Sequence, residues 1–93
     1  MGVRGRRQQK NLAQKLKRIR TSLELSQGEL IKQFDLEGLS NSNISMFESG
    51  QREPALYVLI AYADAANVCL DILIRDEYDL PDNLPCKRRY HPR

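Results

Sequence analysis

"SQGELIKQFDLEGLSNSNISMFESGQREP", residues 26–54, decides the fold of this chain. Two short apolar stripes lie in it, each opened by a serine, with a glycine between them. Ser26 is followed three positions on by Glu29, the spacing at which a capping hydroxyl and a carboxylate satisfy each other's backbone amides. Leu30, Ile31 and Phe34 follow as a stripe to be buried, so a helix is expected over about 27–34. "DLEGL" breaks it through Gly38, and Ser40 caps a further helix over about 41–48. There Ile44 and Phe47 face inward, while Asn41, Ser42, Ser45 and Met46 face out. Gly50 stands where a helix end needs a residue tolerant of φ > 0, and Pro54 stops any helix from running through.

On the N-terminal side, Leu12, Leu16, Ile19 and Leu23 recur at steps of four, three and four, one face of a helix over about 11–24. On the C-terminal side, Leu56, Leu59, Ile60, Ala63 and Ala66 mark a helix over about 55–66. Val68 to Ile74 is too short and too apolar for periodicity to decide. With no partner strand elsewhere it reads as a fifth short helix. Beyond Arg75 the prolines 81, 85 and 92 exclude regular helix, yet Tyr78, Leu80 and Leu84 are too apolar for a purely solvated end. The 93 residues therefore divide into a basic arm (1–10), one all-α five-helix domain (11–74) and a Pro-containing tail (75–93).

The net charge of +3 conceals an asymmetry. Residues 1–20 carry Arg4, Arg6, Arg7, Lys10, Lys15, Lys17, Arg18 and Arg20 with no acid, whereas 71–82 carries Asp71, Asp76, Glu77, Asp79 and Asp82 against Arg75. A block of one sign attracts a polyanion such as a phosphate backbone, and reads equally well as a solvated charge run. No apolar stretch approaches the roughly 20 residues of a membrane span, and "MGVRGRRQQK" lacks the apolar core of a secretory signal, so the expected place is the cytosol, at the nucleoid.

Catalysis needs convergent groups, and this chain offers few. His91 is its only histidine, and no phosphate-cradling glycine loop, nucleophile elbow or paired buried carboxylates can be found. Cys69 and Cys86 have no C-x-x-C spacing and read as free thiols, so neither a metal nor a cofactor is expected, nor an enzyme. What remains is a turn-linked pair of helices whose second member shows a small polar face. Such a helix fits a major groove about 12 Å wide, where Asn can bond adenine bidentately, Ser can donate or accept, and a thioether can pack on a thymine methyl.

These residues carry a resemblance. "LAQKLKRIRTSLELSQGELIKQF" followed by "LSNSNISMFESGQREPALYVLIAYADAANVCLDILI" resembles the Cro and phage-repressor type of helix-turn-helix domain, the XRE family, over residues 11–74. It rests on "SQ-x-E-L", on "S-x-x-x-I-S-x-F-E-x-G-x-R-x-P" and on "A-N-V-x-L-D-x-L". The resemblance implies a lambda-repressor-like domain that binds double-stranded DNA through its third helix. It implies that Gln27 touches a phosphate and braces that helix, that Asn41, Ser42, Ser45 and Met46 face bases, and that Asn43 reaches base or backbone. Met46 reads equally as a surface filler. Ser49, Gln51 and Arg52 fall in the family's backbone-contact loop, and the amides opening helices two and four would add phosphate contacts. Arg20 and Glu48 match the family's structural ion pair between helices one and three.

Two departures are visible: the link from Phe34 to Ser40 is about three residues longer than the usual tight turn, and Ile31 and Ser49 stand where the family prefers a small residue and Asn. Arg4, Arg6, Arg7 and Lys10 form an arm that enters a groove or merely speeds association. A homodimer is expected, joined through the last helix with Tyr78, Leu80 and Leu84. The principal reading is a transcriptional repressor; the alternative is an antitoxin-like module whose tail, 75–93, holds a partner protein.

Overall fold

The computed structural model describes residues 11–91, with five helices among them: α1 (Leu12–Ser22), α2 (Gln27–Gln33), α3 (Asn41–Ser49), α4 (Leu56–Ala66) and α5 (Leu70–Ile74). Local chemistry sets their ends. Ser26 and Glu29 exchange amide hydrogen bonds at 3.0 and 2.8 Å, which opens α2. Ser40 and Asn43 form the same box at the start of α3, with an asparagine where glutamate or glutamine is usual. The four longer helices each stop at a left-handed residue: Glu24, Asp35, Gly50 and Asn67. Just beyond it an amide turns back, as Gln51 N–H does to Met46 O at 3.0 Å and Val68 N–H to Ala63 O at 3.0 Å.

α1 is the central element, packed on α3, α4 and α5, while α2 lies against α3. Leu16, Ile19, Leu30, Ile44, Tyr62 and Leu73 are fully buried in the shared core. Burial of each aliphatic side chain contributes about 1.5–3 kcal/mol. The longer link between α2 and α3 brings its own anchor: Leu36 is buried at 2%, and Gly38 turns the chain at φ 84°. Ile31 and Phe34 are only half buried, so α2 commits one residue, Leu30, to the centre.

Three expectations need correction. α4 buries Val58, Leu59, Tyr62, Ala63 and Ala66, whereas Leu56 and Ile60 are 61% and 43% exposed. An almost unbroken apolar run fits a helical stripe in several phases, and packing chooses the one centred on Val58 and Tyr62.

Second, the basic run is not simply solvated along α1: Lys17 and Arg18 are exposed, but Lys15 is not. Lys15 is buried, its Nζ donating to the carbonyls of Ile72 at 2.6 Å and Arg75 at 2.9 Å, where α5 ends. Burial lowers its pKa from the usual 10.5, opposed by the nearby Asp76, Asp79 and Glu77. Arg18 donates to the carbonyls of Leu80, Pro81 and Asp82.

Third, Leu80 is buried in this chain's own core, with Tyr78 and Leu84 packed partly against it, so Leu80 is not free to meet a second copy. The tail from Arg75 folds back over α1 and the α4–α5 junction. Cys86 N–H bonds Ala66 O at 2.9 Å, Asn67 Nδ2 bonds Cys86 O at 2.9 Å, and Val68 and Tyr90 form a parallel bridge. Cys69 and Cys86 are free, half-buried thiols.

Candidate nucleic-acid interface

The interface is built on α3, whose two faces follow from its sequence. Ile44 and Phe47 are buried at 0% and 6% exposure and anchor the helix from behind. Asn41, Ser42, Ser45 and Ser49 are exposed on the opposite face, with Met46 half buried at its edge. Every exposed side chain on that face is short, uncharged and able to hydrogen-bond.

What holds α3 in place is an ionic cluster. Arg20 Nε lies 2.9 Å from Glu48 Oε2 and 3.1 Å from Oε1, and Arg20 Nη2 lies 2.9 Å from Oε1. The remaining Nη1 donates to Leu25 O at 2.9 Å, just before α2. Tyr62 Oη completes the set, donating to Glu48 Oε2 at 2.9 Å. The carboxylate thus receives donors from α1 and α4, and one residue of α3 is tied to both. The hydrogen bond to Glu48 raises the Arg20 pKa above its usual value. Burial, followed by the neighbouring Glu48 charge, raises that of Tyr62 well above the usual 10.0. The sequence motif pairs Arg20 with Glu48 but gives no sign of Tyr62, which lies outside the apolar stripe read for α4 from its spacing.

The other sequence-derived positions are distributed around this helix. Gln27 is half buried at the first residue of α2, and no hydrogen bond among the described residues joins it to α3. Its neighbour Gly28 does approach α3: a Cβ there would stand 3.5 Å from Asn41 Oδ1. Asn43 is half buried, and its Oδ1 accepts from Ser40 N at 2.8 Å and Ser40 Oγ at 3.1 Å. An oxygen so engaged is not available for a bidentate contact with adenine, which needs both ends of the amide.

After α3, Ser49 Oγ donates to Met46 O at 3.2 Å, and the amides of Gln51 and Arg52 turn back to the same carbonyl at 3.0 and 3.3 Å. Those backbone donors are spent on the helix end. The exposed side chains of Gln51 and Arg52 are what this loop offers outward. Arg4, Arg6, Arg7 and Lys10 lie outside the described residues.

A rigid helix with an open polar face, anchored from behind and followed by a loop bearing a cation, is the geometry of a groove-reading element. The comparison with protein families agrees: residues 16–73 match the helix-turn-helix family. No curated protein and no solved structure matches the chain. The matched segment covers most of the chain and contains all five helices except the first turn of α1 and the last residue of α5. The chain therefore belongs to the helix-turn-helix family, of the Cro and phage-repressor type, and is a DNA-binding protein of the transcription-regulating class. No helix among the described residues is long and apolar enough to cross a membrane.

Proposed function

We propose that this helix-turn-helix protein is a sequence-specific repressor, acting in the cytoplasm as a homodimer with α3 in the major groove at each half of a twofold site. The observation that supports it best is the outward face of α3, where Asn41, Ser42 and Ser45 stand exposed above a helix immobilised by Ile44, Phe47 and the Arg20–Glu48–Tyr62 cluster. A solvated helix gains most from long charged side chains, which bring solubility and i,i+4 pairs. Short amides and hydroxyls gain their value against base edges.

In this reading Asn41 carries the adenine contact, Ser42 and Ser45 bond neighbouring edges, and Met46 packs beside them. Asn43 orients the start of α3 rather than reading a base, because its oxygen closes the capping box. Gln27, Ser49, Gln51 and Arg52 bind phosphates and set the register. Arg4, Arg6, Arg7 and Lys10 add salt-dependent affinity along the backbone. Occlusion of a promoter is the simplest consequence of occupying a twofold site.

The alternative of an antitoxin-like tail has less in its favour. Residues 75–91 are hydrogen-bonded to α1 and to the α4–α5 junction of their own chain, and Leu80 is part of the core. A partner would have to displace these contacts.

The test is selection of bound duplexes from random or genomic fragments, repeated with Asn41→Ala. Discrimination is expected to fall at one base position of each half-site by about 1–3 kcal/mol, with the remaining positions retained. Uniform weakening at all positions would remove Asn41 from the base-reading set.

A further inference from the structure

Among the described glycines, one has no backbone reason to be glycine. Gly38 and Gly50 hold φ of 84° and 83°, in the left-handed region. Gly28 does not: it is the second residue of α2, where glycine weakens a helix relative to alanine. α2 has seven residues and commits only Leu30 to the centre of the core, so it is a poor place for a helix-weakening residue. What distinguishes the position is its neighbour. A Cβ at 28 would stand 3.5 Å from Asn41 Oδ1 and 4.0 Å from Asn41 Nδ2, beside both polar atoms of the amide that opens α3.

We propose that Gly28 is a positioning residue for base recognition: lacking a side chain, it leaves Asn41 the space in which both ends of its amide turn to a single base. A bidentate contact with adenine needs the Asn41 oxygen and nitrogen outward together. The two asparagines of α3 differ in how their amides are oriented. Asn43 Oδ1 is held by Ser40 N and Oγ, at 2.8 and 3.1 Å. The Asn41 amide is hydrogen-bonded to no described residue, so its orientation follows from what it packs against, and position 28 is what α2 sets beside it.

Side-chain size at 28 decides the effect. A methyl group there stands at ordinary van der Waals distance from the amide and leaves it in place. A γ carbon reaches one bond further, into the volume of the amide tip. A β-branched residue has two γ substituents and, in a helix, one strongly preferred χ1, so it is least able to turn aside. The amide then gives way, because it is exposed and unbonded whereas the start of α2 is fixed by the Ser26–Glu29 box. This role rests on the groove reading of Asn41 and adds a second position, on a different helix, through which the same base is chosen.

Competition binding of the full chain to a selected duplex and to its single-base variants tests it, with Asn41→Ala as the reference. Gly28→Val is expected to lose about tenfold in discrimination at the one base position that Asn41→Ala also loses, with the other positions retained. The double variant Gly28→Val, Asn41→Ala should discriminate as Asn41→Ala alone does, the coupling expected when one residue acts through the other. Gly28→Ala is expected to keep wild-type discrimination. Valine and alanine both favour a helix more than glycine does, so thermal unfolding should show both variants folded. Gly28→Leu, measured beside them, should reproduce the valine pattern. Undiminished discrimination in both Gly28→Val and Gly28→Leu, uniform weakening at every position, or losses that add in the double variant would overturn the role of Gly28. If Asn41→Ala itself changes no base position, the groove reading falls and the role of Gly28 with it; if Asn41→Ala is selective and Gly28→Val is not, the role of Gly28 alone falls.

Discussion

Helices α3 and α4 are neighbours along the chain, nine and eleven residues long, and each buries one face and opens the other. Their inner faces are alike: Ile44 and Phe47 on one, Val58, Leu59 and Tyr62 on the other, meeting in one core. Their outer faces are opposites. On α3 the open positions are amides and hydroxyls, whereas on α4 they are leucine, tyrosine and isoleucine, followed by Asp64 near the helix end. Neither face is what solvent alone would favour, since neither carries the alternating lysines and glutamates of an ordinary surface helix. Each face is therefore suited to a different contact: hydrogen-bonding base edges in one case, another apolar surface in the other.

Both helices are held by the same cluster, and breaking it is expected to have the largest effect. Glu48→Ala strands the Arg20 guanidinium and the Tyr62 hydroxyl together. Stability should fall by about 3–5 kcal/mol in denaturant unfolding, and both outer faces should lose their geometry at once. An unchanged midpoint would detach the cluster from the fold. Asn41→Ala, by contrast, should leave stability within about 0.5 kcal/mol and act only on the DNA side described above.

Tyr62→Phe is expected to have a smaller effect. It removes one hydrogen bond to a charged acceptor, worth about 1.5 kcal/mol, and leaves Arg20 to hold Glu48. It also changes the alkaline limb of stability. The folded-state pKa of Tyr62 is raised above the ordinary 10.0 by burial and by Glu48, so below that value the phenol is neutral in both states and pH has no hold on it. Above it the unfolded chain ionises and the native one does not, and stability falls by up to about 1.4 kcal/mol per pH unit. The wild type should lose stability faster than Tyr62→Phe as pH rises through about 10; parallel curves would mean that the phenol is not sequestered.

Much of this was legible in the sequence because local chemistry wrote it. Ser26 with Glu29, Ser40, Gly50 and the spacing of Ile44 and Phe47 each act within a few residues, and the helices begin and end where those residues require. Motif resemblance supplied the partnership of Arg20 and Glu48, twenty-eight positions apart. Three features were not legible. The phase of α4 was hidden because Leu56 to Ala63 contains no charged residue to mark the outside. Lys15 gave no sign that its stem would cross the core to the last carbonyls of α5. The return of the tail is fixed largely by backbone carbonyls accepting from Arg18 and Arg89, and carbonyls carry no sequence signature.

In the proposed function α3 presents its polar face to a DNA groove while the tail stays with its own domain. Backbone amide shifts of the labelled chain, followed by NMR as a selected duplex is added, test it most directly. The largest changes are expected at Gln27, at Asn41 to Met46 and at Ser49 to Arg52, with Tyr78 to Arg89 and α5 nearly still. Changes concentrated in Tyr78 to Arg89, with α3 silent, would contradict it.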